Sequence, residues 1–127
     1  MLINCTNHPF QVWNEAQREA AAQFGEVVDL PFPQIEPHST TDELRRLTDS
    51  YAQRIEVQRP EAVLVAGEFT FAFMLVDRLL TDGVRVLATR SRRITQESLA
   101  PDGTNRKSSI FVFECFQEYA RYEEDSK

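Results

Sequence analysis

Ala62-Val63-Leu64-Val65-Ala66-Gly67-Glu68-Phe69-Thr70 is the stretch on which the fold turns. Four consecutive strand-type residues without polar alternation read as a strand buried on both faces, which a parallel sheet sheathed in helices requires. Gly67 marks a sharp turn, and a helix follows from about Phe69 to Asp82. That helix is apolar on almost every side (Phe71, Ala72, Phe73, Met74, Leu75, Val76, Leu79, Leu80), so it is expected to pack on the sheet and on a second surface. A strand running directly into a helix also creates a place for an anion. Helix N-termini carry unpaired N–H groups and partial positive charge, and open α/β sheets place ligands at the carboxyl ends of their strands.

The rest of the chain extends this unit in both directions. Leu2 to Cys5 reads as a first strand, closed by the polar turn Thr6-Asn7-His8-Pro9. Asn14 caps a first helix with Gln17 three positions on, Trp13, Ala16, Ala20 and Phe24 follow helical spacing, and Gly25 supplies the stop. Glu26 to Leu30 is a second strand, broken by Pro31-Phe32-Pro33. Thr40 and Glu43 fit a capping box, after which Leu44, Leu47, Tyr51 and Ile55 line one face of a second helix ended by Pro60. Gly83 closes the third helix, Val84 to Ala88 is a fourth strand, and Ser109 to Cys115 a fifth; from Phe116 the tail reads as helical or loose.

The order βαβαβαβ and a final β predicts a three-layer α/β sandwich with a mostly parallel sheet of five strands, ordered 2-1-3-4-5, the last antiparallel. At 127 residues, residues 1–127 form one domain. In that order the winding reverses between strands 1 and 3, opening a crevice bordered by Thr6-Asn7-His8 and Gly67-Glu68-Phe69-Thr70, with Arg90-Ser91-Arg92-Arg93 beside it.

Charge narrows the ligand. The chain carries a net −6, which argues against long nucleic acid. Residues 85–107 nevertheless hold Arg85, Arg90, Arg92, Arg93, Arg106 and Lys107 against Glu97 and Asp102, a local +4. A basic island on an acidic protein suits a small anionic ligand; a solvated arginine-bearing loop is the plainer reading. No apolar run approaches the roughly 20 residues a membrane span needs, and the start has no signal-like segment, so the expected location is cytoplasmic. Cys5 and Cys115 make neither a disulfide framework nor a zinc pattern, and read as buried thiols.

Dinucleotide, Walker-type and nucleophile-elbow motifs are all missing, which disfavours redox, NTPase and α/β-hydrolase chemistry. His8 and His38 cannot build a histidine-rich metal site, and neither a metal nor a cofactor is expected. His8 is a candidate general acid or base, or part of an ordinary turn closed by Pro9. Glu68 either simply caps its helix or orients Arg92 or a ligand hydroxyl; Thr70 caps or contacts phosphate. Arg92 or Arg93 should face the crevice, where a guanidinium gives forked hydrogen bonds to phosphate. Arg106 and Lys107, read as a loop before strand 5, could close over a ligand. Phe10, Trp13, Phe32 and Phe69 offer stacking surfaces or fill the core.

Asn4-x-Thr6-Asn7-His8-Pro9 with Trp13, Leu30-Pro31-Phe32-Pro33, Gly67-Glu68-Phe69-Thr70, Thr89-x-Ser91-x-Arg93 and the Phe111-x-Phe113 strand together resemble small CRISPR-associated proteins of the ring-nuclease and CARF-like group. The resemblance spans nearly the whole chain, each motif being short. It implies a Rossmann-like homodimer that binds a cyclic oligoadenylate, cyclic tetra-adenylate first, and cuts it without a metal by attack of a ribose 2′-hydroxyl. His8, Glu68, Arg92 and Arg93 would then serve catalysis, and Thr6, Asn7, Gly67, Phe69, Thr70, Arg90, Ser91 and Lys107 would bind the ligand. Two other classes remain open: a non-catalytic sensor or sink for the same messenger, and a small α/β interaction protein with an empty crevice.

Overall fold

A computed structural model of the chain describes residues 1–123. Elements run in the order β1 (Leu2–Cys5), a single 3-10 turn (Phe10–Val12), α1 (Glu15–Ala22), β2 (Val27–Asp29), α2 (Thr41–Glu56), β3 (Ala62–Val65), α3 (Phe69–Thr81), β4 (Val86–Leu99) and β5 (Asn105–Glu118). The five strands form one sheet, ordered β2-β1-β3-β4-β5, parallel except for the antiparallel β4–β5 pair. Architecture and strand order are those expected from the sequence.

Local chemistry explains why the elements begin and end where they do. Asn14 accepts from the Gln17 amide at 2.9 Å and caps α1. Thr40 and Glu43 form the reciprocal capping box of α2. Gly83 follows α3 with φ +82°, a left-handed conformation that a side chain would strain.

The sheet separates two cores. Ile3, Cys5, Val63, Val65 and Val86 pack with Tyr51 and Ile55 of α2 and Phe71, Leu75 and Leu79 of α3. On the opposite face Leu2, Leu64 and Leu87 pack with Trp13, Ala21 and Phe24. Alternation along each strand sends neighbouring residues to different layers, so α1 lies on one face and α2 with α3 on the other.

Four expectations are corrected. Strands 4 and 5 do not stop at Ala88 or begin at Ser109: each runs 14 residues and they pair as one long ribbon. Residues 90–99 and 105–108 are exposed on both faces, so the sequence carried no apolar alternation to mark them as strand. Phe116 to Glu118 belong to β5 rather than to a helical or loose tail. Finally, α3 is not covered all round, since Phe71, Leu75, Val76 and Leu79 are buried while Phe69 and Phe73 face outward, 88% and 76% exposed. Of the two thiols only Cys5 is buried, and Cys115 sits exposed on the ribbon.

Candidate functional site

A groove of about 440 Å³ opens above the carboxyl ends of β1, β3 and β4, on the α1 side of the sheet. Its size falls within the ordinary range for small-ligand sites, about 300–1,000 Å³. Thr6, His8, Asn14, Gln17, Thr89 and Ser91 supply its polar lining, against an apolar wall that includes Trp13, Leu64 and Phe111. The winding reversal between β1 and β3 is what leaves this space open.

A buried polar hub holds one wall of the groove. Asn4, 1% exposed, donates from Nδ2 to the His8 carbonyl at 2.9 Å and to Asp29 Oδ1 at 2.8 Å. Its Oδ1 accepts from the Thr6 hydroxyl at 2.8 Å. Trp13 Nε1 donates to the same His8 carbonyl at 2.9 Å, and the His8 amide donates to Thr6 Oγ1 at 3.1 Å. His8 is thus anchored through its backbone while its side chain stays exposed. Asn4 and Asp29 were missed as positioning residues. Asn4 in an otherwise apolar strand was the available signal, because a buried amide needs partners.

The ribbon supplies the second wall through a β-bulge. Arg90 pairs with Cys115 but Ser91 with Phe113, so Glu114 is the extra residue. The bulge resets the alternation, placing Phe111, Phe113 and Phe116 on the α1 side although their spacing is uneven. Phe116 packs 5.1 Å from Phe113 and 6.3 Å from Trp13, ring centre to ring centre.

The residues singled out in the sequence fall into two groups. Thr6, His8 and Ser91 come together in the groove. Arg93 is the register partner of Phe111, hence on the same ribbon face one step further out, with Nε donating to Ser109 Oγ at 3.1 Å. Arg92, its neighbour, faces the other way and pairs with Glu114 at 2.6 Å. Arg90 shares the Arg92 face, two residues earlier on the strand. Asn7 lines a smaller hollow of about 210 Å³ with Asn4, Thr6 and Asp29. Lys107 lies in β5, not in a loop, and pairs with Glu97 at 3.6 Å; Arg106 is likewise in the strand. Both are far out along the ribbon, near the turn at Gly103.

Gly67 and the N-cap Glu68 lead into α3, whose first residues are Phe69 and Thr70, on the opposite layer. The Glu68 carboxylate itself occupies the helix N-terminus, accepting from the Thr70 and Phe71 amides at 3.0 and 2.8 Å. The Thr70 hydroxyl, 2.6 Å away, and these two amides hold the carboxyl below its ordinary value of 4.5. A phosphate there would have to displace it, which removes α3's N-terminus as a vacant anion site. Glu68 does not orient Arg92, whose partner is Glu114. Gly67 is small for a steric reason: a Cβ would meet the Phe32 ring at 2.5 Å. Phe32 and Trp13 are core residues, Phe10 stacks edge-on against Trp13, and Phe69 alone of the four is open to solvent.

Among the described residues no three histidine, cysteine or acidic side chains converge where a metal could sit. Their helices include none long and apolar enough to cross a membrane. Cys5 is buried, which pushes its thiol up to about 12 and makes it inert. Residues 1–117 match the Uncharacterized protein MJ1673 family, and the chain belongs to that family. No curated protein matches the sequence.

Proposed function

We propose that this member of the MJ1673 family binds a cyclic oligoadenylate in the groove and opens it without a metal, acting in the cytoplasm to switch off type III CRISPR signalling. The observation that carries the reading is the gathering of His8, Thr89 and Ser91 in one groove at the strand reversal, with Arg93 on the adjoining ribbon face. The resemblance to ring nucleases supports the choice of ligand, and the groove supports a small nucleotide in general. A ring of four nucleotides is larger than the groove, so the ligand would be shared by the two copies of a homodimer.

The chemistry asks for positioning, a charge stabiliser and modest proton transfer. A ribose 2′-oxygen attacks the adjacent phosphorus, its proton passing to a base for which His8 is the candidate. The bond from phosphorus to the 5′-oxygen breaks, that oxygen takes up a proton, and a 2′,3′-cyclic phosphate remains. Arg93 would neutralise the charge on the equatorial oxygens, an interaction of about 2.7–4 kcal/mol when well placed. Glu68, Thr70 and Arg92, assigned from the sequence to this chemistry, have no part in the revised scheme.

A non-catalytic sink for the same messenger is the second reading. It is favoured by the carboxylate seated on α3 and by the pairing of Arg92, which leave the groove with fewer phosphate ligands than the sequence promised.

Incubation with cyclic tetra-adenylate in EDTA, followed by chromatography, separates these readings. Linear product is the expected result, retained intact ring supports the sink, and no binding at all refutes both. Arg93→Ala should slow cleavage about tenfold or more, whereas Arg92→Ala should change it little. Equal loss in both variants would refute the assignment by ribbon face.

A further inference from the structure

The groove itself carries almost no charge. Among the described residues that line it, none is lysine, arginine, aspartate or glutamate, which leaves His8 as the one ionisable group. A phosphodiester asks for guanidinium or ammonium groups, or for open backbone N–H donors. The N-terminus of α1, which reaches the groove, is a poor source of them, being capped by Asn14 with Glu15 in its first turn. Cationic charge begins only at the mouth. Thr89, Ser91 and Arg93 occupy alternate positions on one face of β4, so two hydroxyls precede the guanidinium. The interior therefore suits a neutral group that makes hydrogen bonds.

Two apolar side chains also stand open in it. Phe111, 71% exposed, lines the groove from β5, and Val12, 63% exposed, lines it from the turn before α1. A flat ring seated there would take this surface out of water. On α1, Gln17 is half-buried, and its side-chain amide has donor and acceptor both open among the described residues. Asn14, by contrast, commits its side-chain oxygen to the α1 cap. An amide that gives one bond and takes one matches the N6 amino group and N7 of adenine. Guanine presents two acceptors, O6 and N7, along the same edge.

We propose that the groove is a base pocket: an adenine ring lies against Phe111, Gln17 reads its N6–N7 edge, and the phosphate stays outside on Arg93. The choice of adenine rests on the proposed cyclic oligoadenylate ligand, whereas the neutrality of the pocket is independent of it.

Adenosine, which has no phosphate, is the probe for the pocket alone. Calorimetric titration of the full chain should show it binding about 5- to 150-fold more tightly than guanosine, the discrimination one bidentate edge contact provides. Gln17→Leu should abolish that preference, and Phe111→Ala should weaken both nucleosides about 5- to 150-fold through lost stacking. Both side chains lie outside the two cores, so the circular-dichroism spectrum should not change. Failure of adenosine to bind at millimolar concentration overturns the proposal. So does a preference that survives Gln17→Leu, or an affinity that Phe111→Ala leaves unchanged. Cleavage of cyclic tetra-adenylate is scored separately. Adenosine held in the pocket while the ring stays uncut upholds the inference and leaves the sink as the function; a ring cut equally well by both variants keeps the nuclease and removes the pocket.

Discussion

Replacing Asn4 with alanine tests whether the groove wall is held as described. The substitution removes three hydrogen bonds: to the His8 carbonyl, to Asp29 and from Thr6. At about 1 kcal/mol each, the loss is about 3 kcal/mol. No partner is left bare, since the His8 carbonyl keeps Trp13 Nε1, Asp29 keeps the Phe10 amide and Thr6 keeps its bonds to His8. Extra desolvation cost is therefore small, and the estimate rests on the bonds themselves. For a chain of this length, about 4 °C per kcal/mol gives a fall in Tm of roughly 12 °C. Urea unfolding followed by Trp13 fluorescence is the direct assay, because this single tryptophan is buried against the same loop. Asn4→Asp keeps the volume but sets a second carboxylate against Asp29, and should cost at least as much. A loss below about 0.5 kcal/mol in Asn4→Ala would refute the hub, since one ordinary hydrogen bond exceeds that.

Two further perturbations probe the other layer. Gly67→Ala forces a methyl group into the Phe32 ring, itself packed 5.4 Å from Phe71, and should destabilise by about 1–3 kcal/mol in denaturant unfolding; a neutral result means that the ring moves aside freely. Glu68 has a lowered pKa in the fold, so it contributes stability above its ordinary 4.5 that is lost as pH falls through the lower folded value. Acid unfolding of Glu68→Gln should accordingly be shallower over that window than in the wild type, and parallel curves would show that the cap carries no proton linkage.

Much of the fold was legible because it is written in short-range chemistry. The apolar run 62–66, the caps at Asn14 and Thr40 and the glycine stops each specify one element through neighbouring residues. Element order then leaves few topologies, since crossovers are right-handed and parallel strands need a covering helix. The site was legible only as a set of names. His8, Thr6 and Ser91 do meet, but Glu68 and Thr70 belong to the far layer, and Arg92 turns from Arg93 because adjacent strand residues face opposite sides.

By itself the sequence determined the layers, the strand order, the helix ends and the existence of a crevice at a winding reversal, all consequences of local periodicity and capping. Tertiary structure alone decided how far β4 and β5 run, because a ladder exposed on both faces leaves no apolar rhythm to read. It also decided where the bulge at Glu114 falls, and thereby which aromatic and arginine side chains share a face. Those choices depend on register between segments distant along the chain, which no stretch of either segment encodes separately.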